Sequence, residues 1–184
     1  MPDKPPQAEL ATPAESAARA EAAASAIDKK AFRNALGEYT TGVTIITARD
    51  ASGHLSGLTA NSFVSVSLDP PLVLWSLSLY SGSLPLFQTV SHYAINVLAQ
   101  DQLEISKRFA TSGIDKFTGI NFIEGAGSAP VLPGSCASFE CRNEITHAGG
   151  DHVIFIGLVE KFTRIEGKAP LVFQGGRYRS IKDV

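Results

Sequence analysis

Residues 57–77, GLTANSFVSVSLDPPLVLWSL, show two patterns of hydrophobicity, one on each side of Pro70 and Pro71. Polar and apolar residues alternate over 58–68, which predicts a strand with one solvated face and one buried face. The run 72–75 is apolar without interruption, which predicts a second strand buried on both faces. The first strand would carry Thr59, Asn61, Ser65 and Ser67 on its polar face and Val64, Val66 and Leu68 on its buried face.

That row of hydroxyl and amide groups has two interpretations. It can be an ordinary solvated face of a sheet, or it can hold a flat polar ring or a phosphate beside a buried strand. The pattern of the segment alone leaves both open.

Helices are predicted on either side of this segment. Residues 1–26 are rich in Ala, Glu and Pro and lack aromatic residues, which predicts a flexible or partly helical extension before one domain over 27–184. An apolar stripe that includes Phe32 and Leu36 predicts a helix over 25–38. Shorter helices are predicted over 83–90 and 101–109, and a long loop over 111–134.

The predicted strands follow one another as hairpins instead of alternating with helices. They cover 42–48, 58–68, 72–77, 93–98, 135–142, 152–162 and 171–181, the last one broken by Gly175 and Gly176. This succession predicts a mostly β fold, an antiparallel barrel with peripheral helices, and argues against a doubly wound parallel sheet.

Composition narrows the classes of function. The 184 residues carry a net charge of −2, which gives no electrostatic reason to expect a nucleic acid or an anionic membrane as partner. No apolar run approaches the roughly 20 residues that a membrane-spanning helix needs.

Cys136 and Cys141 are five residues apart on a predicted strand, so they face opposite sides and a disulfide between them is not expected. Reduced cysteines fit a cytoplasmic protein, and the histidine spacing predicts no metal site.

Three positions outside the opening segment carry candidate chemistry. Asp151 and His152 lie where a glycine-rich turn enters an apolar strand; Asp151 can fix the tautomer of His152, or the pair can be a polar turn with a surface histidine. Ser83 precedes a predicted helix and can be its N-cap or part of a phosphate site. Lys116 can be solvated or can supply positive charge for a phosphate. No GxGxxG or GxSxG motif is present.

Together these stretches resemble the flavin reductase family, which has the flavin-binding split-barrel fold and includes the reductase components of two-component flavin monooxygenases. The resemblance spans about 30–181 and is strongest in GLTANSFVSVSLDPPLVL (57–74) and GGDHVIFIG (149–157). Further matching stretches are TTGVTIIT (40–47), YAINVL (93–98), QLEISKRFA (102–110), DKF (115–117), CASFECR (136–142) and PLVFQGGRYRSI (170–181).

The resemblance implies an antiparallel split β-barrel and an NAD(P)H:flavin oxidoreductase. Such a protein reduces FMN or FAD by hydride transfer from NADH or NADPH and supplies reduced flavin to a separate monooxygenase component. It also implies a homodimer. A flavin-binding carrier or sensor without turnover is the alternative, and a split-barrel oxidase acting on a bound substrate is a third possibility.

The resemblance also implies a role for individual residues. Flavin would be lined by Thr59, Ala60, Asn61, Ser62 and Phe63, and its ring edge, ribityl chain or phosphate would be held by Ser76, Leu77, Ser78, Ser83 and Leu84. The phosphate or adenylate side would be formed by Phe109, Ala110 and Lys116, and the nicotinamide side by Gly150, Asp151, His152 and Val153, with Tyr178 closing the pocket. His152, the one catalytic assignment, would position the nicotinamide and abstract no proton. The segment SLSLYSGSLP (76–85) lacks the charged residue that many members carry there, which leaves the choice between FMN and FAD open.

Overall fold

The structure is a computed structural model that describes residues 27–182, and the chain divides into two compact units, Met1–Tyr39 and Thr40–Val184. In the first unit the described element is helix α1, Lys29–Gly37. It begins after Asp28, whose carboxylate accepts hydrogen bonds from the backbone amides of Lys30 and Ala31 and so acts as the N-cap. The helix predicted over 25–38 therefore starts later, and the extension 1–26 lies outside the described residues.

The second unit is mostly β. The α-helices among its described residues are α2, Leu84–Thr89, and α3, Leu103–Ala110, with short 3₁₀ turns at Gln100–Gln102 and Ala126–Ser128. Its strands are β1 Thr41–Gly42, β2 Thr44–Arg49, β3 Leu55–Ala60, β4 Val64–Leu68, β5 Pro71–Ser78, β6 His92–Val97, β7 Ile123–Glu124, β8 Pro130–Val131, β9 Ala137–Gly149, β10 His152–Arg164, β11 Val172–Gln174 and β12 Arg177–Arg179.

Seven of these strands form one antiparallel sheet in the order β3-β2-β6-β9-β10-β5-β4. β3 and β4 are consecutive in the chain but lie at opposite edges of this sheet. Four Cα–Cα steps join Ala60 to Val64, which limits their separation to about 15 Å. Seven flat strands would set the two edges about 29 Å apart, so the sheet must curl until its edges approach. The predicted antiparallel split barrel with peripheral helices is confirmed.

The single strand predicted over 58–68 is wrong, because residues 61–63 interrupt it. In this break the hydroxyl of Ser62 accepts a hydrogen bond from the backbone amide of Ser76 at 3.0 Å. The same hydroxyl donates to the backbone carbonyl of Ser76 at 3.1 Å. Thr59 therefore belongs to one edge of the sheet, and Ser65 and Ser67 belong to the other edge.

The buried face predicted for Val64, Val66 and Leu68 is also wrong, since all three side chains are exposed. They lie on an edge strand, and within the described chain nothing buries them.

The strand buried on both faces is β2, whereas β5 was predicted to have that property. In β5 the alternate residues Val73, Trp75 and Leu77 are buried, and the residues between them are only partly covered. In β2, Ile46 packs into a cluster around the stacked rings of Trp75 and Phe155, whose centroids are 4.5 Å apart. Its neighbour Ile45 packs on the other face with Phe109. The curled sheet thus separates an inner core from a second core beneath α3.

The last predicted strand is a hairpin. β11 and β12 pair antiparallel through a turn at Gly175 and Gly176, where both residues have positive φ angles of 57° and 75°. Glycine adopts this left-handed conformation without steric cost, so the two glycines reverse the chain instead of merely interrupting a strand.

Both cysteines are free thiols, and burial raises the pKa of Cys141 to about 12. None of the helices described here has the length and hydrophobicity required to cross a membrane.

Candidate functional site

A cleft of about 980 Å³ lies within the second unit. Three parts of the chain form most of its lining: residues 53–59 of the turn before β3 and of β3 itself, the end of β5 with the turn 80–83, and the end of α3 with the loop that follows it to Thr118. Turns and loops carried on a rigid sheet are a common setting for binding sites.

The wall of the cleft near β3 depends on a close approach between Gly57 and Phe109. A Cβ atom at Gly57 would lie 2.5 Å from Cε1 of Phe109, so only glycine lets this ring lie against the strand. Phe109 is fully buried and meets Phe117 edge-to-face at 5.1 Å between ring centroids. The result is an aromatic wall in which the buried ring of Phe109 backs the partly exposed ring of Phe117.

Lys116 provides positive charge in this lining. Its Nζ donates hydrogen bonds to the carbonyl oxygens of Gly57 at 3.0 Å and Phe109 at 2.8 Å, and it forms no ion pair with a described residue. Burial lowers the pKa of Lys116, since removal of water disfavours the charged form. An anionic group entering the cleft would compensate this charge.

The carboxylate of Asp115, which precedes Lys116, is hydrogen-bonded within its own loop. Asp115 accepts hydrogen bonds from the Thr118 hydroxyl and the Phe117 amide, which hold the pKa of Asp115 below its usual value. Arg108 Nη2 also donates to the carbonyl oxygens of Asp115 and Thr118, at 3.2 and 2.6 Å. These bonds keep the loop wall in place without a ligand.

Hydroxyl groups complete the lining, and two of them belong to the predicted set. Thr59 Oγ1 donates its hydrogen to the carbonyl of Ser106 at 2.6 Å. This hydroxyl can therefore only accept a hydrogen bond from a ligand. Ser83 occupies the N-cap position of α2, but its side chain makes no capping hydrogen bond. Its hydroxyl is therefore not consumed by the helix, contrary to the capping interpretation.

The predicted site residues separate into two groups. Six line the cleft: Thr59, Leu77, Ser83, Phe109, Ala110 and Lys116. Twelve do not: Ala60, Asn61, Ser62, Phe63, Ser76, Ser78, Leu84, Gly150, Asp151, His152, Val153 and Tyr178. These twelve stay predictions.

The Asp151–His152 pair adjoins the cleft through β5. Nδ1 of His152 lies 2.7 Å from Oδ1 of Asp151, an arrangement in which the carboxylate favours the tautomer with its proton on Nδ1. His152 is paired in register with Ser78, and the Asp151 carbonyl accepts from the Leu79 amide at 2.9 Å. The pair is therefore fixed to the turn that carries Tyr80 into the lining.

Tyr178 lies behind α3. Its hydroxyl is 3.0 Å from Oγ of Ser106, the residue whose carbonyl holds Thr59, and its ring packs edge-to-face on Phe173 at 5.4 Å. Tyr178 supports the helix next to the cleft and does not line the cleft.

Sequence reasoning missed several lining residues, among them His54, Ser56, Gly57, Tyr80 and Ile114. His54 lies in the polar turn before β3, and Ile114 lies in the glycine-rich loop that was predicted to cover the surface or a site. The polar turn and the glycine-rich loop were recognisable in the sequence, but only the fold shows that both line the same cleft.

Comparisons with known proteins agree with this geometry. A family model described as flavin reductase like domain matches residues 36–182. The chain is 45% identical over 151 residues to FMN reductase (NADH) SmoA of Agrobacterium fabrum, covering 82% of this chain and 85% of the relative. It is 40% identical over 160 residues to the flavin-dependent monooxygenase reductase subunit HsaB of Rhodococcus jostii, covering 87% and 82%.

Solved structures give the same result. NADH:FAD oxidoreductase SgcE6 of Streptomyces globisporus, in complex with NAD and FAD fragments, superimposes with a TM-score of 0.80. The two chains are 32% identical, and the match covers 95% of this chain and 98% of the other. With its family-model match, its relatives and its fold, this chain belongs to the flavin reductase-like domain family.

Proposed function

We propose that this chain is an NAD(P)H-dependent flavin reductase that reduces FMN or FAD by hydride transfer and supplies reduced flavin to a separate monooxygenase component. The observation that carries the proposal is a cleft combining a buried aromatic wall with a lysine that has no ion-pair partner among the described residues. Names of relatives support both halves of the reaction: SmoA is an FMN reductase (NADH), and HsaB is a monooxygenase reductase subunit. These names favour NADH as the donor.

The residues of the cleft fit a flavin. Its volume of about 980 Å³ is at the upper end of the range of about 300–1,000 Å³ for small-molecule sites. Ala110 and Phe117 offer an apolar surface for the ring system, and the buried side chains of Phe109 and Leu77 lie behind it. Thr59 and Ser83 offer hydroxyls to the ribityl chain, and Lys116 offers its charge to the phosphate.

A bound flavin supplies the redox chemistry itself, so the protein needs only to bind, orient and shield the reactants. The lining requires no general base for this. We assign His152 the role of positioning the nicotinamide, with Asp151 holding its ring through Nδ1. Nε2 of His152 is then the atom that meets the nicotinamide carboxamide.

The other predicted residues are proposed to border the same site. Ser76 and Ser78 pair in register with Ile154 and His152, which supports a continuous surface from β5 to the start of β10. Ser62 is bonded to Ser76 and Tyr178 to Ser106, so each supports the wall from behind. The proposal also includes Ala60, Asn61, Phe63, Leu84, Gly150 and Val153.

A homodimer is part of the proposal. Val64, Val66 and Leu68 on edge strand β4 are 51%, 49% and 95% exposed, which leaves three apolar side chains at one edge of the sheet for a second copy to cover. The other partner is the oxygenase that receives reduced flavin, and the two free thiols support a cytoplasmic location.

The decisive experiment is a turnover assay. Purified protein is mixed with NADH or NADPH and an excess of FMN or FAD, and the nicotinamide absorbance is followed with time. We expect many equivalents of NADH to be consumed per protein chain. Tight flavin binding without NADH consumption would identify a carrier instead, and failure to bind either flavin would exclude both functions.

A further inference from the structure

Arg49 is a cation next to the cleft, and its side chain is outside the lining. It is the last residue of β2, where it pairs in register with the lining residue Leu55. Nη1 of Arg49 lies 2.9 Å from Oε1 of Glu124, and its guanidinium carbon Cζ lies 5.7 Å from the centroid of the Phe122 ring. Both partners belong to the segment that connects α3 to β9, so one side chain of the sheet holds two residues of that segment.

Phe122 connects this contact to the aromatic wall of the cleft. It lines the cleft, and its ring meets Phe117 edge-to-face at 5.9 Å between centroids. Phe117 in turn meets the buried ring of Phe109 at 5.1 Å. The three rings form a continuous row, which begins at Phe109 on α3 and ends under the guanidinium of Arg49.

Arg49 has a stronger reason to contact the ring than to contact the carboxylate. Its Nε is buried and has no hydrogen-bond partner among the described residues. The side chain of Glu124 is 58% exposed, so solvent screens the ion pair. A guanidinium over an aromatic face is attracted by the quadrupole of the ring, and partial exclusion of water strengthens that attraction. The ring contact is therefore the less screened of the two.

We propose that Arg49 is a positioning residue that holds Phe122, and through it the ring of Phe117, in the aromatic wall of the flavin site. The inference rests on the proposed function and adds a residue that contacts neither flavin nor nicotinamide. Lys116 is held separately, by the carbonyls of Gly57 and Phe109. Loss of Arg49 therefore weakens the contact with the flavin ring and leaves the phosphate contact in place.

The test measures dissociation constants of FMN and riboflavin by flavin fluorescence. Arg49→Met removes the charge and keeps an unbranched side chain. It should weaken both ligands equally, about threefold to fivefold, the scale of one cation–π contact. Arg49→Lys keeps a charge without the planar guanidinium, so it should recover part of the lost affinity. A loss for FMN alone would place the effect at the phosphate and overturn the proposal.

A double-mutant cycle separates positioning of the ring from a general loss of structure. Phe122→Leu should weaken both ligands, and adding Arg49→Met to it should cause no further loss, because the ring that Arg49 holds is already gone. Additive losses would mean that Arg49 acts elsewhere. The visible circular dichroism of bound flavin, which reports the surroundings of its ring, should change in the same way in both single variants.

Two further variants serve as controls. Glu124→Gln removes only the ion pair and should leave both affinities within about twofold of the wild type. Arg142→Met removes an ion-paired arginine of β9 outside the lining and should have no effect. Equal losses in Glu124→Gln and Arg49→Met would assign the effect to the ion pair and overturn the proposal. Binding is measured without NADH, so flavin binding without turnover would refute the reductase and not the role of Arg49.

Discussion

The amine of Lys116 donates to two backbone carbonyls and meets no carboxylate of the described chain. Hydrogen bonds to neutral carbonyls orient the positive charge without cancelling it. Burial lowers the pKa of this lysine, so the charge is lost at a lower pH than that of a solvated lysine. A phosphate bound here would be attracted while Lys116 carries its proton. That attraction would be lost when the proton is lost.

Replacement of Lys116 by Met should therefore weaken FMN about tenfold at neutral pH, the scale of a lost charge-assisted hydrogen bond. Riboflavin, which lacks the phosphate, should be affected far less. As pH rises toward alkaline values, wild-type affinity for FMN should fall toward that of the variant, beginning below about pH 10.4. Flavin fluorescence titrations measure both ligands.

Lys107→Met is the control for Lys116→Met, since Lys107 lies on α3, pairs with Glu104 and is outside the lining. Equal weakening of FMN and riboflavin in Lys116→Met would mean that the amine only holds the loop in place.

His152 permits a second test on one residue. His152→Ala should raise the KM for NADH several-fold and leave flavin affinity nearly unchanged, because the ring is proposed to contact the nicotinamide and not the flavin. Stopped-flow measurement of flavin reduction at varied NADH concentration separates the two effects. His147→Ala, an exposed histidine on β9, is the matched control. Unchanged NADH kinetics in His152→Ala would remove His152 from the site.

Among the elements, β3 and β4 show where sequence reasoning fails. Residues 61–63 contain neither glycine nor proline, but the alternation over 58–68 slips there, since Asn61 and Ser62 are both polar and Phe63 and Val64 are both apolar. That slip is the local signal that a single-strand prediction overlooks. The break is made by tertiary contacts, since the two halves pair with different strands and Ser62 bonds to Ser76. Hydrophobic alternation on β4 predicted a buried face, and no described residue buries it.

A second copy of the chain is the proposed cover, and β4 allows a test. Leu68→Asp places a charge on this apolar edge strand at a side chain that is almost fully exposed, so folding should be preserved. The variant should elute with about half the mass of the wild type in size-exclusion chromatography with light scattering, since an unpaired charge is costly inside an apolar interface. Ile123→Asp changes an exposed apolar residue elsewhere and should leave the mass unchanged. A monomeric wild type, or a dimeric Leu68→Asp variant, would contradict the interface.

For the whole molecule, the fold class could be predicted because strands in hairpin succession leave few architectures, and hairpins such as β9–β10 are local. The cleft could be predicted only in part. Phe109 and Lys116 lie in stretches that matched the family, whereas Tyr80 and His54 line the cavity only because a curled sheet brings distant turns together. Which distant turns lie side by side depends on the tertiary fold, and local sequence patterns do not determine it.

Two hydroxyls of the TANSF stretch (59–63) connect separate parts of the barrel. Thr59 bonds β3 to the backbone of α3, and Ser62 bonds the seam between β3 and β4 to β5. Selection for a stable scaffold would keep both hydroxyls even in a descendant that had ceased to reduce flavin. The motif by which the family is recognised is in this respect a mark of the architecture and not of the activity.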